Sequence, residues 1–192
     1  MSLEQLWAGW RHDYIVQATA RERADRSEGT GAADGAGTAA AEGKGTLHDA
    51  DRCVFCRIAQ SGPPSVDNLM VWKGQLSFVV LNAYPYASGH VLVLPLRHVG
   101  GLGELTEAES SDVWSVSRRA VAAIEAAYEP DGLNLGANLG RAGGAGIPGH
   151  LHLHVLPRWT GDTNFMTSIA GTRVMPETLQ AVWQKLSEAW PG

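Results

Sequence analysis

The stretch His150-Leu-His-Leu-His-Val-Leu-Pro157 sets three imidazoles at alternate positions with an aliphatic residue in each gap. Side chains on an extended strand alternate between faces with a period of two, so His150, His152 and His154 share one side while Leu151, Leu153 and Val155 share the other. The aliphatic side reads as a half-buried strand packed on a core. A lone histidine beside such a strand is ordinary, because a buried polar ring with a partner is tolerated. Three on one face gather several partly desolvated, titratable rings, which points to metal binding or to phosphate and proton chemistry.

Working outward, the segment is the fifth in a series of predicted strands. Leu69–Trp72 and Leu76–Leu81 flank the Lys73-Gly74 turn, His90–Pro95 is an aliphatic third strand, Leu133–Leu139 a fourth, and His150–Leu156 the fifth. Thr106 with Glu109 three residues later forms a capping box, and Val113, Val116, Ala120, Ile124 and Ala127 recur at three- and four-residue spacing. That pattern predicts a helix ending near Tyr128, before Pro130 and the Asp131-Gly132 turn. A last helix is expected from Pro176, with Leu179, Val182, Trp183, Leu186 and Trp190 on one side. Strands joined by tight turns and few helices give an α+β class with an antiparallel sheet, not a doubly wound parallel one.

At 192 residues the chain has the size of one globular domain that needs no disulfide to hold its core. The domain is expected over 51–192. Residues 1–26 carry Leu6, Trp7, Trp10, Tyr14 and Ile15, enough apolar surface for an N-terminal arm to pack on the domain. Residues 27–50 are dominated by Gly, Ala and Thr and cannot offset their ordering entropy, which predicts a disordered linker. His12 and His48 fall in these segments and are read as solvated. A formal net charge of −5 offers no broad basic surface for a nucleic-acid polymer, although a small nucleotide remains compatible. No apolar run reaches the length of a membrane span and no export signal is recognisable at the N-terminus, so the expected compartment is the cytoplasm. Cys53 and Cys56, spaced Cys-Val-Phe-Cys, then suggest a metal or redox pair more than a structural disulfide.

Chemistry concentrates in three places. His90 and His98 bracket the third strand, the triplet makes the fifth, and Gly140-Arg-Ala-Gly-Gly-Ala-Gly-Ile-Pro-Gly149 leads directly into His150. A glycine-rich loop lets backbone N–H groups approach an anion closely.

The pattern His-φ-His-φ-His-φ-φ (φ aliphatic) resembles the signature of the histidine triad (HIT) superfamily. The resemblance extends to Phe78-Val-Val-Leu-Asn82 followed by Gly89-His90-Val-Leu-Val-Leu-Pro95. Leu6–Ile15 and Pro157–Phe165 are similar to the bacterial diadenosine tetraphosphate phosphorylase-like members of the Fhit-like branch. The resemblance implies a five-stranded antiparallel sheet with two main helices, usually paired as a homodimer. It implies an enzyme that cleaves dinucleoside polyphosphates at the α-phosphate: His152 as the nucleophile forming a nucleotidyl-histidine, His154 and His90 around the phosphate oxygens, and Asn82 on a ribose hydroxyl. Asn138 would lie near the scissile phosphate, with the amides of Gly144, Ala145 and Gly146 and the side chain of Arg141 as further donors. The acceptor, water or inorganic phosphate, stays open between hydrolase and phosphorylase. Many relatives place a serine or glutamine just before the triplet, whereas this chain reads Gly146-Ile147-Pro148-Gly149, which leaves a nucleotide-binding protein with little turnover as an alternative. A reactive metal held by the co-facing histidines is a third reading, weakened because no carboxylate stands in the triplet or beside His90. The resemblance also implies a structural zinc on Cys53, Cys56, His98 and His150 and no catalytic cofactor. Trp7, Trp10 and Trp159 are candidate walls of a base pocket.

Overall fold

A computed structural model describes residues 47–163 and 175–191. The chain divides into two compact units, and all described residues belong to the one formed by Gly45–Asn164 and Arg173–Gly192. The expected arm over 1–26 and the linker up to residue 46 lie outside the described residues, as do Trp7, Trp10, His12 and the side chain of His48.

The elements run α1 (Leu47–Arg52), α2 (Val54–Gln60), β1 (Met70–Lys73), β2 (Ser77–Leu81), β3 (Val91–Pro95), α3 (Glu107–Tyr128), β4 (Gly132–Ala137), β5 (Leu153–Arg158) and α4 (Leu179–Glu188). Helix α1 begins within the last residues of the stretch expected as linker. The strands form one antiparallel five-stranded sheet in the order β1-β2-β3-β5-β4. Strands β2 and β3 are buried along their whole length, because both faces of the sheet are covered. Val79, Leu81, Val91, Val93, Leu153 and Val155 pack with Val113, Val116, Ala120 and Ile124 of α3 and with Val182 and Leu186 of α4. On the opposite face, Phe78, Val80, Leu92 and Leu94 pack with Phe55, Cys56 and Ala59 of α2. Burying each such side chain contributes about 1.5–3 kcal/mol.

Helix α3 matches its sequence pattern. Thr106 caps it, accepting the Glu109 N–H at 3.2 Å, while Glu109 Oε2 accepts the Thr106 N–H at 2.8 Å. Arg97 then grips Glu109 through two hydrogen bonds of 2.8 and 2.6 Å, and this pair holds the Glu109 carboxyl down at about 2.

Two boundaries differ from the sequence pattern. Helix α4 starts at Leu179 and not at Pro176, because Thr178 takes an extended conformation and its hydroxyl accepts the Ala181 N–H. Strand β5 starts at Leu153 and not at His150. Its ladder with β3 reaches only Val93↔Leu153, beyond which Pro95 has no N–H to give and its carbonyl is taken by the ring of His150 at 2.9 Å. Leu151 still donates to Val99 O at 2.6 Å and buries its side chain in the α3-facing core with Leu153 and Val155. The three histidines therefore keep the opposite side, toward α2, as the alternation predicts.

Candidate functional site

The histidines of the triplet separate into two clusters. The first gathers Cys53, Cys56, His98 and His150, whose donor atoms all lie within 4.8 Å of one another. Cys53 precedes α2 and Cys56 lies in its first turn; His98 follows β3 and His150 closes the glycine-rich loop. Burial and the neighbouring Cys53 push the Cys56 thiol up to about 12. The Pro95 carbonyl accepts from His150 Nε2–H, which leaves the Nδ1 lone pair facing both sulfurs at 3.5 Å. Burial holds His150 neutral, lowered to about 4. This cluster can hold a metal ion through four donors.

The second cluster is His90, His152 and His154. His90 is 1 % exposed and is delivered by Gly89, whose φ of +81° is left-handed and where a Cβ would lie 2.9 Å from the Tyr128 ring. His90 Nδ1 accepts the Tyr86 backbone N–H at 3.1 Å. A neutral ring whose Nδ1 accepts carries its proton on Nε2, so His90 Nε2–H donates to His154 Nδ1 at 2.9 Å. His154 must then carry its own proton on Nε2, a buried atom with no hydrogen-bond partner among the described residues. Burial, reinforced by His152, lowers His154 to about 4.

His152 is oriented the other way round. Its Nδ1–H donates to the His150 carbonyl at 2.8 Å, which puts the lone pair on Nε2. Burial lowers its pKa, so the ring is neutral near pH 7. The His152 and His154 rings lie 5.2 Å apart at 66°. A neutral nucleophilic nitrogen thus stands beside a neutral ring bearing an N–H with nothing to bind.

Other expected residues fall less simply. Asn82 places its Oδ1 on the Tyr84 N–H at 3.0 Å and its Nδ2 3.4 Å from His90 Nδ1, so its amide is engaged in the turn that carries His90. In the glycine-rich loop, Gly144 N–H donates to Arg141 O at 2.8 Å and Ala145 N–H to Gly140 O at 3.1 Å. Neither amide is free to cradle phosphate, which corrects the expectation for these two; Gly146 is outside those turns. A Cβ on Gly143 would collide with the Leu139 carbonyl, so the tight turn excludes any side chain there. Asn138 is half-buried at the end of β4, and Arg141 is exposed. Trp159 packs edge-on against Tyr128, with ring centroids 6.2 Å apart.

Two aromatic residues escaped the sequence reading. Tyr86 stacks on His154 at 5.8 Å and 15° and lies 4.7 Å from His90. Phe55 touches both His150 and His152, at 5.6 and 5.3 Å. Their available signals were an aromatic four residues before His90 and one inside the Cys-x-x-Cys spacing.

With this geometry in place, comparison with known proteins is decisive at one point: residues 64–161 match the profile of the HIT domain. The chain belongs to the HIT domain family. A relative in Mycobacterium tuberculosis (strain H37Rv), AP-4-A phosphorylase, is 32% identical over 188 residues, covering 98% of this chain and 85% of the relative. The Arabidopsis thaliana bifunctional bis(5'-adenosyl)-triphosphatase/adenylylsulfatase FHIT is 33% identical over 108 residues, 56% of this chain and 59% of the relative. Among solved HIT structures, a Zn-bound histidine triad family protein from Mycobacterium smegmatis superposes with a TM-score of 0.59 at 27% identity, covering 73% of this chain and 94% of that one. Among the described residues, no helix of this HIT protein is long and apolar enough to cross a membrane.

Proposed function

We propose that this HIT protein cleaves dinucleoside polyphosphates at the α-phosphate through a covalent nucleotidyl-His152 intermediate. The observation that carries the reading is the pair of opposed tautomers, an Nε2 lone pair on His152 beside an Nε2–H on His154. In the first step His152 Nε2 bonds to the α-phosphorus and the P–O bond to the rest of the polyphosphate breaks, the electron pair leaving with that oxygen. Negative charge on the phosphoryl oxygens meets His154 Nε2–H, with the Gly146 amide of the loop and the Asn138 side chain after β4 as the further donors. The His90–His154 hydrogen bond fixes where that proton sits, so His90 acts through His154 and not on the phosphate. In the second step the acceptor oxygen displaces His152.

The names of the relatives support both acceptors. The relative aligned over nearly the whole chain is a phosphorylase by name, which favours inorganic phosphate as a second reading beside water. Diadenosine tetraphosphate incubated with the protein decides between them: ATP and AMP form with water as acceptor, ATP and ADP with phosphate. Intact substrate in both conditions would leave a binding protein.

The four-donor cluster fits zinc. A tetrahedron with Zn–S of about 2.3 Å and Zn–N of about 2.0 Å has sulfur-to-nitrogen edges of about 3.5 Å; three of the four such edges here are 3.5, 3.5 and 3.3 Å, and all the donor atoms lie within 4.8 Å of one another. The His150 Nε2–H on Pro95 O is the outer hydrogen bond such a ligand requires. All four positions are filled by protein, so zinc would tie α2 and β3 to the start of β5 as a structural ion, without activating water. Strand β4 is a sheet edge with Leu135 and, just beyond it, Leu139 exposed, which supports a homodimer formed across that edge. Such a protein acts on a small nucleotide in the cytoplasm and needs neither a nucleic-acid polymer nor a membrane.

A further inference from the structure

His150 belongs to both clusters. Its ring gives Nδ1 to the two sulfurs, while its carbonyl, three bonds from the ring's Cβ, accepts the proton that orients His152. A second path runs beside this one. Phe55 lies between the two cysteines at the start of α2 and is 8 % exposed. Its ring meets His150 nearly edge-on at 78° and leans against His152 at 49°. The peptide that supplies both thiols therefore also supplies a wall of the nucleophile. When the four donors are drawn to bonding distance of one centre, the start of α2 and the His150 backbone are fixed together, and with them both contacts on His152. When they are not, two buried sulfurs and two ring nitrogens lack a common partner, and only apolar packing holds the start of α2 against His150 and His152.

We propose that Phe55 is a further positioning residue for His152, bracing the ring that the His150 carbonyl orients, and that it does so only while the Cys53/Cys56/His98/His150 donors are held together. The inference rests on the nucleotidyl-His152 reading for its catalytic consequence, but the orientation itself is a property of the protein without substrate. A nucleophile displaced by a fraction of an ångström loses rate, whereas a group that holds the ground-state nucleotide loses affinity when it is displaced.

The test uses the full chain loaded with zinc, the same protein stripped by a chelator, and zinc-loaded Phe55→Ala and Phe55→Tyr. Nitrogen-15 NMR of the His152 ring without nucleotide reads the tautomer, and single-turnover cleavage with AMP binding separates rate from affinity. The zinc-loaded protein is expected to show a single Nδ1–H tautomer at His152. Stripping, or Phe55→Ala with zinc retained, is expected to give a mixed tautomer and a rate about tenfold lower, with AMP affinity changed by less than about twofold. Phe55→Tyr, which keeps the ring, restores both. An unchanged Nδ1–H signature in both the stripped protein and Phe55→Ala overturns the proposal, as does a loss that falls on AMP affinity with the rate intact. Should the stripped protein unfold, zinc-loaded Phe55→Ala decides. Full activity in His152→Ala would remove the nucleotidyl-histidine reading instead, and the tautomer signature would still report whether the cluster orients that ring.

Discussion

The two histidine clusters meet in one five-residue stretch, yet His150 in the first and His152 in the second are held by opposite nitrogens. In His150 the backbone captures Nε2–H, through Pro95 O, and Nδ1 is exported to the thiols. In His152 the backbone captures Nδ1–H, through His150 O, and Nε2 is exported. In the proposed reading the same residue type, two positions apart, serves as a ligand in one case and as a nucleophile in the other because of which carbonyl reaches which nitrogen. Burial acts alike on both, lowering each pKa and keeping each lone pair available at neutral pH. Environment sets the charge state; the single backbone hydrogen bond sets the task.

The comparison breaks most sharply by mutation of the two rings. His152→Ala is expected to lower turnover of diadenosine tetraphosphate by at least about 10³-fold while AMP still binds and the melting temperature holds, since this ring is the proposed nucleophile. His90→Asn, which cannot reach His154 Nδ1, is expected to cost about 10²-fold in turnover by freeing the tautomer of His154, read from steady-state kinetics. Cys53→Ser strikes the other cluster: zinc content measured by metal analysis falls, and the melting temperature drops by about 10 °C, the shift that about 4 kcal/mol of ligand linkage gives in a chain of this size.

Acidification sharpens the contrast between charge state and task. The unfolded chain protonates a histidine below its ordinary value of 6.5, whereas the fold keeps His154 neutral until about 4. Stability is therefore full above pH 6.5 and is lost as pH falls from 6.5 to about 4, by about 1.4 kcal/mol per pH unit for that one proton. Denaturant titrations of His154→Gln over this window should show the slope reduced by one proton's share; an unchanged slope would mean that this ring is already charged in the fold. The smallest effect is reserved for a site in neither cluster. Thr106→Ala removes the α3 cap, is expected to cost about 1 kcal/mol, and should leave zinc content unchanged.

That last site was also the most legible. The Thr106/Glu109 box and the spacing of Val113, Val116, Ala120 and Ile124 are local, and α3 follows them closely. The shared face of the three histidines was legible from alternation alone. Where β5 begins was not: the alternation continues to His150, but pairing stops at Leu153 because a proline on the neighbouring strand has no N–H to offer. Helix α4 was placed too early because Pro176 fits a first helical turn as well as it fits the bend before a Thr178 cap. The loop amides of Gly144 and Ala145 were misread for a similar reason, since a glycine-rich sequence shows that the backbone can approach an anion but not that its N–H groups are already spent on Arg141 and Gly140. Phe55 and Tyr86 stayed hidden because an aromatic residue acquires its role only from the tertiary contacts it makes with rings distant in sequence. The direction of each imidazole was equally hidden, because it depends on single carbonyls.

The most direct test of the central claim is to quench a single turnover of diadenosine tetraphosphate and locate the phosphorus by mass spectrometry and phosphorus–nitrogen NMR of the denatured adduct. A nucleotidyl group bonded to Nε2 of His152 is the predicted result. A bond through Nδ1, a label on any other residue, or turnover that proceeds with no covalent adduct at all would contradict it.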